Sequence, residues 1–137
     1  MEYLTVDQVA ERIGRDVQMV RRWIREGRLE AERIGQIMTS RLVEMAERFP
    51  LIGEVRGRGA MVAMELVEDR ESKSPAKAAT SRLLEEACRQ GVIVLKAGTY
   101  DNVIRLLPPL TIDEGLLSEG LDVLEKALAT VEQESAG

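Results

Sequence analysis

Arginine, not histidine, supplies most of the chemistry open to this sequence. Gln18, Arg21, Arg22 and Arg25 recur at i, i+3, i+4 and i+7, with Arg28 just beyond them, so a helix there presents several guanidiniums on one side. Guanidinium forks pair with phosphates and guanine edges, and a Gln amide pairs with an adenine edge. The same pattern also describes an ordinary solvated face, with Glu26 as a neighbouring acid. A second position is Arg105, on the same strand face as Val103 and Leu107, where a purely structural strand more often carries an aliphatic. Its plain alternative is an arginine at a sheet edge reaching water. Cys88 is the only cysteine, four residues after Leu84 and next to Ala87, and the expected role is packing on the inward stripe of a helix. The absence of histidine removes the commonest general base at neutral pH and every His-ligated metal site. One cysteine forms neither an intrachain disulfide nor a thiolate cluster, so no metal is expected.

These positions depend on local structure that the spacing predicts. Thr5 to Gln8 has capping-box spacing, and Val6, Val9, Ala10 and Ile13 follow at helical intervals up to Gly14. Asp16 caps a second helix whose apolar side is Val17, Val20, Trp23 and Ile24, and Gly27 is expected to end it. Ile34, Ile37, Met38, Leu42, Met45 and Phe49 predict a third helix that stops at Pro50. Beyond it, Ala60–Leu66, Val92–Leu95 and Val103–Leu107 read as strands. Ser74-Pro75 is expected to open a helix running to Gly91. Thr111 to Glu114 is a second capping box, opening a helix with Leu117, Leu121, Leu124, Leu128 and Val131 on one face.

The chain has 137 residues, 45% of them hydrophobic and 31% charged, a balance that fits one compact domain or two very small ones and argues against disorder. Residues 1–37 hold seven arginines and seven acids, so the whole net charge of −5 lies on the rest. The longest apolar runs fall far short of a membrane span, and the N-terminus has no basic-then-apolar leader. A soluble, cytoplasmic chain is the expectation.

Two stretches carry resemblances. YLTVDQVAERIGRDVQMVRRWIREGRL, from Tyr3 to Leu29, resembles the helix-turn-helix of excisionase-like, MerR-type DNA-binding domains. That resemblance implies that Gln18, Met19, Arg21, Arg22 and Arg25 face DNA, with Arg28 near a phosphate. The family's basic wing is not legible here, since Glu30 to Gly35 leads straight into helical periodicity. RFPLIGEVRGRGAMVAMELV and GTYDNVIRLLPPLTI resemble the C-terminal small domain of class III, pyridoxal-phosphate-dependent aminotransferases, nearest to those acting on 4-aminobutyrate. This second resemblance implies that Arg105 grips a substrate carboxylate. The family's chemistry needs a Schiff-base lysine and a phosphate cradle, and none of Lys73, Lys77, Lys96 or Lys126 lies in a string matching the cofactor lysine. Gly57-Arg58-Gly59 lacks the ending of a phosphate loop. No cofactor is therefore expected.

The resulting expectation is an α+β fold: an N-terminal helix-turn-helix and a long third helix packed on a small three- to four-stranded sheet with two further helices. Its segments are 1–30, 31–131 and a frayed tail 132–137, merged into one compact unit in which the first two helices cover apolar surface of the small domain. The implied function is that of an engineered or recombined chimera without catalysis that binds DNA weakly and in a salt-sensitive way. The alternatives are a natural helix-turn-helix regulator with an aminotransferase-derived ligand domain, or an aminotransferase fragment. Self-association through exposed apolar surface is the other expected partnership.

Overall fold

A computed structural model describes residues 4–135. Among them are α1 (Val6–Ile13), α2 (Val17–Arg48), β1 (Ile52–Arg58), β2 (Met61–Leu66), α3 (Lys77–Arg89), β3 (Leu95–Ala97), β4 (Val103–Leu106) and α4 (Glu114–Ser135). The fold is α+β, with one antiparallel sheet in the order β1-β2-β4-β3.

The first helix follows its sequence signals. Thr5 Oγ1 accepts from the Gln8 N–H at 3.3 Å and Gln8 Oε1 accepts from the Thr5 N–H at 2.8 Å, and Gly14 closes the helix in the left-handed region. Asp16 then caps α2, accepting from the N–H groups of Gln18 and Met19. The expected stop at Gly27 does not occur: α2 runs 32 residues without a break. Gly27 lacks the positive φ of a helix-ending glycine. Val20, Gly27, Ala31, Ile34, Met38 and Leu42 form one stripe of 3.6 period through it, so one glycine costing about 1 kcal/mol is carried by its neighbours.

That stripe has two fates. Ile34, Met38, Leu42 and Met45 are fully buried in the main core. The N-terminal half extends past it and packs chiefly on α1, through Ala10 and Val20. Trp23 and Ile24 are each 47% exposed, a correction to their expected inward placement, because α1 is too short to cover them. The first helix therefore does not spread over the small-domain surface as expected.

Register divides the sheet into two faces. Val62, Met64 and Leu66 pair with or adjoin Leu106 and Ile104 and, with residues of α2, α3 and α4, form the core. Glu54, Arg56 and Arg58 on β1, Met61, Ala63 and Glu65 on β2, and Arg105 on β4 point the other way. Close packing of α2 on the β1–β2 hairpin depends on Gly35, where an added Cβ would lie 2.0 Å from the Gly59 carbonyl oxygen.

Several boundaries move from their expected places. Strand β1 was hidden by Gly53 and Gly57. Helix α3 starts at Lys77 with no side-chain cap, because Pro75 bridges to Val67 and the Ser74 carbonyl accepts from Glu68. The third strand begins at Leu95, not Val92. Asp113, not Thr111, caps α4, accepting from Gly115 and Leu116. Helix α4 continues through Ser135, where fraying was expected, tied by Arg82 donating to both Glu134 oxygens. Residues 136 and 137 lie outside the described residues.

Candidate functional site: an arginine on the open face of the sheet

Arg105 is held by an interior strand, not a sheet edge. Directly across from it stand Ala63 on β2 and Leu95 on β3, and across Ala63 stands Arg56 on β1. This row crosses the open face at strand spacings of about 4.8 Å. Ala63 is small, so the row dips between two guanidiniums. Arg56 is already neutralised, 2.9 Å from both Glu54 and Glu65. Arg105 is exposed and has no ion-pair partner among the described residues, which leaves its fork available for a carboxylate.

The approach to β4 is fixed by the loop before it. Gly98 (φ +85°) and Asp101 (φ 56°) take left-handed conformations, and a Cβ at Gly98 would lie 2.8 Å from Val103 Cγ2. Asn102, buried, donates to the Leu66 carbonyl at 2.9 Å and so ties the loop to β2. Lys77 Nζ lies 2.9 Å from Asp101 Oδ2. That hydrogen bond, with Lys77 and Lys96 as nearby positive charges, holds the Asp101 carboxyl below its ordinary range.

After β4, Leu107, Pro108 and Pro109 turn into a cleft of about 680 Å³ between α4 and segment 90–95. Its lining is apolar apart from Gln90, Arg105 and Glu119, and Ile93 and Leu116 stand exposed at its rim.

The α2 candidates share one arc. Gln18, Arg21, Arg22, Arg25 and Arg28 are all exposed, on an arc that runs from the flank of Val20 round to the side opposite it, while Met19 is half-buried beside them. Arg22 lies 3.7 Å from Glu26, a long exposed contact worth little. The arc and Arg105 sit on different elements and do not form one site. Cys88 is exposed, which corrects its expected packing role: the inward stripe of α3 is Thr80, Leu83 and Ala87, and Cys88 lies about 100° round from Ala87.

The class-III aminotransferase family matches residues 22–128. The chain belongs to this family. It is 44% identical over 107 residues to a leucine/methionine racemase of Thermococcus litoralis, covering 78% of this chain and 24% of that protein. It is 48% identical over 99 residues to a 4-aminobutyrate aminotransferase of Mycobacterium tuberculosis, covering 72% and 22%. Among solved structures, a phospholyase from Arthrobacter in complex with phosphoethanolamine superposes with a TM-score of 0.72 at 32% identity over 82% of this chain and 27% of that one. A Bacillus anthracis aminotransferase does so with a TM-score of 0.71 at 25% identity over 83% and 27%. This class-III aminotransferase chain thus spans about a quarter of the length of the curated relatives it matches. The match begins at Arg22, inside the α2 arc, so Arg22, Arg25 and Arg28 belong to the aminotransferase-like region.

Pyridoxal phosphate, which the family implies, needs a desolvated lysine facing a cavity. Lys73, Lys77, Lys96 and Lys126 are all exposed or half-exposed at the surface, and none lines the cleft. The residues present do not by themselves fit that cofactor. Sequence reasoning missed Arg56 and Arg58, which share the open face with Arg105; the alternation Glu54-Arg56-Arg58 was the available signal.

Proposed function

We propose that this chain is the small-domain portion of a class-III aminotransferase, that it holds a substrate carboxylate at Arg105, and that these residues perform no catalysis of their own. The observation that carries the reading is Arg105 itself, unpaired and exposed on an interior strand within the string Asn102-Val-Ile-Arg-Leu-Leu107. An ω-amino acid such as 4-aminobutyrate, named for the Mycobacterium tuberculosis relative, has the carboxylate this fork accepts. On an open face in water such a pair contributes about 0.2–1 kcal/mol, so the portion alone binds weakly. Incubation with pyridoxal phosphate followed by borohydride and peptide mapping tests the absence of catalysis. Scattered, substoichiometric labelling is expected; a stoichiometric adduct at one lysine would contradict the reading.

We further propose that α1 and the start of α2 are of separate origin, joined to the aminotransferase portion in a chimera, and that they bind DNA weakly. What supports the reading is an exposed arc that starts with Gln18 and Arg21, ahead of the family match, and continues across the junction through Arg25 and Arg28, the three arginines having no ion-pair partner among the described residues. Four phosphates neutralised by Arg21, Arg22, Arg25 and Arg28 give a slope of about −3.6 in log affinity against log salt. A gel-shift titration at two salt concentrations, with an Arg21→Ala/Arg25→Ala variant alongside, tests it. Binding confined to low salt and lost in the variant supports the reading, and no shift at low salt removes it.

A further inference from the structure

Strand β1 is a free edge. Only β2 pairs with it, and among the described residues no backbone group outside that hairpin hydrogen-bonds to its stretch from Gly53 to Arg58. Such a row of N–H and C=O groups is a template for another strand, and proteins commonly blunt it with proline, charged side chains, a bulge, a covering segment or a very short strand. This edge has seven residues, no proline, and glycine at 53 and 57, so its backbone is open to approach.

The order of residues on it is self-complementary. Read antiparallel about Val55, Gly53-Glu-Val-Arg-Gly57 sets Glu54 opposite Arg56 of a second copy and Arg56 opposite that copy's Glu54. Gly53 falls opposite Gly57, and Val55 opposite itself. Glu54 and Arg56 both project from the open face and already lie 2.9 Å apart within one chain. In a pair of copies the four charges alternate around a square, and directly opposed residues stand about 5 Å apart. Like charges never face each other in this register.

We propose that β1 is a self-docking edge through which two copies of this chain join antiparallel, with Glu54 and Arg56 setting the register. The occupant is a second copy because the charge pattern fits its own reverse. The bulge between Ile52 and Glu54 confines the pairing to residues 53–57. An interface of that size falls below the roughly 800 Å² per partner of a standard complex, so the dimer is weak and dependent on concentration. The surface lies at the opposite edge of the sheet from β3 and from the apolar cleft rim at Ile93, and it is independent of any ligand at Arg105.

Sedimentation velocity over a concentration series tests this with the whole chain, Glu54→Arg, Arg56→Glu, and an equimolar mixture of the two variants, each checked for folding by circular dichroism. The parent should dimerise as concentration rises. Each variant alone places two like charges opposite two like charges and should dimerise at least about tenfold more weakly. The mixture should recover the dimer, since the two guanidiniums on the Glu54→Arg chain then face the two carboxylates on the Arg56→Glu chain. Arg56→Glu also sets a like charge beside Glu65, but that internal change is the same alone and mixed, so recovery isolates the interface. A parent that stays monomeric to its solubility limit, variants that associate as the parent does, or a mixture that fails to recover would each overturn the proposal.

Discussion

Gly27→Ala separates a continuous α2 from a helix that turns at Gly27, because the two geometries give opposite signs. In the structure Gly27 is mid-helix with an ordinary negative φ, and a Cβ added there meets nothing within 4 Å. Replacing it should therefore stabilise the helix by about 0.5–1 kcal/mol, the entropy and propensity penalty of glycine in a helix interior. At a left-handed helix end the same change would destabilise by a similar amount or more. Because this half of α2 rests chiefly on α1, part of the gain is local. Hydrogen exchange of the amides flanking residue 27 reads it directly, with an expected slowing of about two- to fivefold, and the thermal midpoint should rise by about 3 °C at most. Gly35→Ala is the internal contrast. It gains the same propensity but drives a Cβ to 2.0 Å from the Gly59 oxygen and 2.7 Å from its carbonyl carbon, backbone atoms that cannot rotate away. Overpacking of this kind costs about 1–3 kcal/mol or more, so the net effect is destabilising. Faster exchange and lower helicity in Gly27→Ala would refute the continuous helix.

Three further outcomes follow from side chains elsewhere. Arg89 and Gln90, with Arg82, hydrogen-bond the buried Glu86 carboxylate and hold its pKa down to about 2 from 4.5; a depressed carboxyl stabilises the fold above about pH 4.5 and loses that contribution as pH falls towards 2. The stability gap between parent and Glu86→Gln, from urea midpoints, should narrow across that window, and a gap independent of pH would contradict the network's role. Arg70 donates to the carbonyls of Ala46, Phe49, Pro50 and Ile52 at 2.5–3.2 Å, clamping the end of α2 to β1. Arg70→Ala should cost about 1–2 kcal/mol and Arg70→Lys should recover less than half of it, since an ammonium lacks the fork; unchanged denaturation curves would refute the clamp. Cys88 should react with a thiol reagent in the folded state at close to the rate of a free peptide thiol, and strong protection would contradict its exposed position.

Local signals were readable where a side chain serves its own backbone: the Thr5–Gln8 box, the Asp16 cap, the Gly14 stop and the Pro50 boundary all lie within a few residues of what they fix. Tertiary context decided the rest. Gly27 has the type of a helix terminator, yet packing of the stripe from Ala31 to Met45 carries the helix through it. Cys88 satisfies a four-residue spacing from Leu84, but α3 buries the face through Leu83 and Ala87, which spacing alone does not choose. Strand β1 was illegible because Gly53 and Gly57 thin its pattern, and its partner Met61–Leu66 is what makes it a strand. Arg105 was found by the string around it. That it lies on an interior strand, beside Ala63, depends on pairings set by residues some forty positions upstream.

The most direct test of a carboxylate-holding role is titration of 4-aminobutyrate into the chain, observed at the arginine Nε–Hε resonances by nuclear magnetic resonance. A saturable shift is expected at Arg105, with smaller shifts at the amides of its row neighbours Ala63 and Leu95, and loss of both in Arg105→Gln with the rest of the spectrum unchanged. Saturable shifts centred on Arg21, Arg25 and Arg28, or none at Arg105 up to the solubility limit of the ligand, would contradict it.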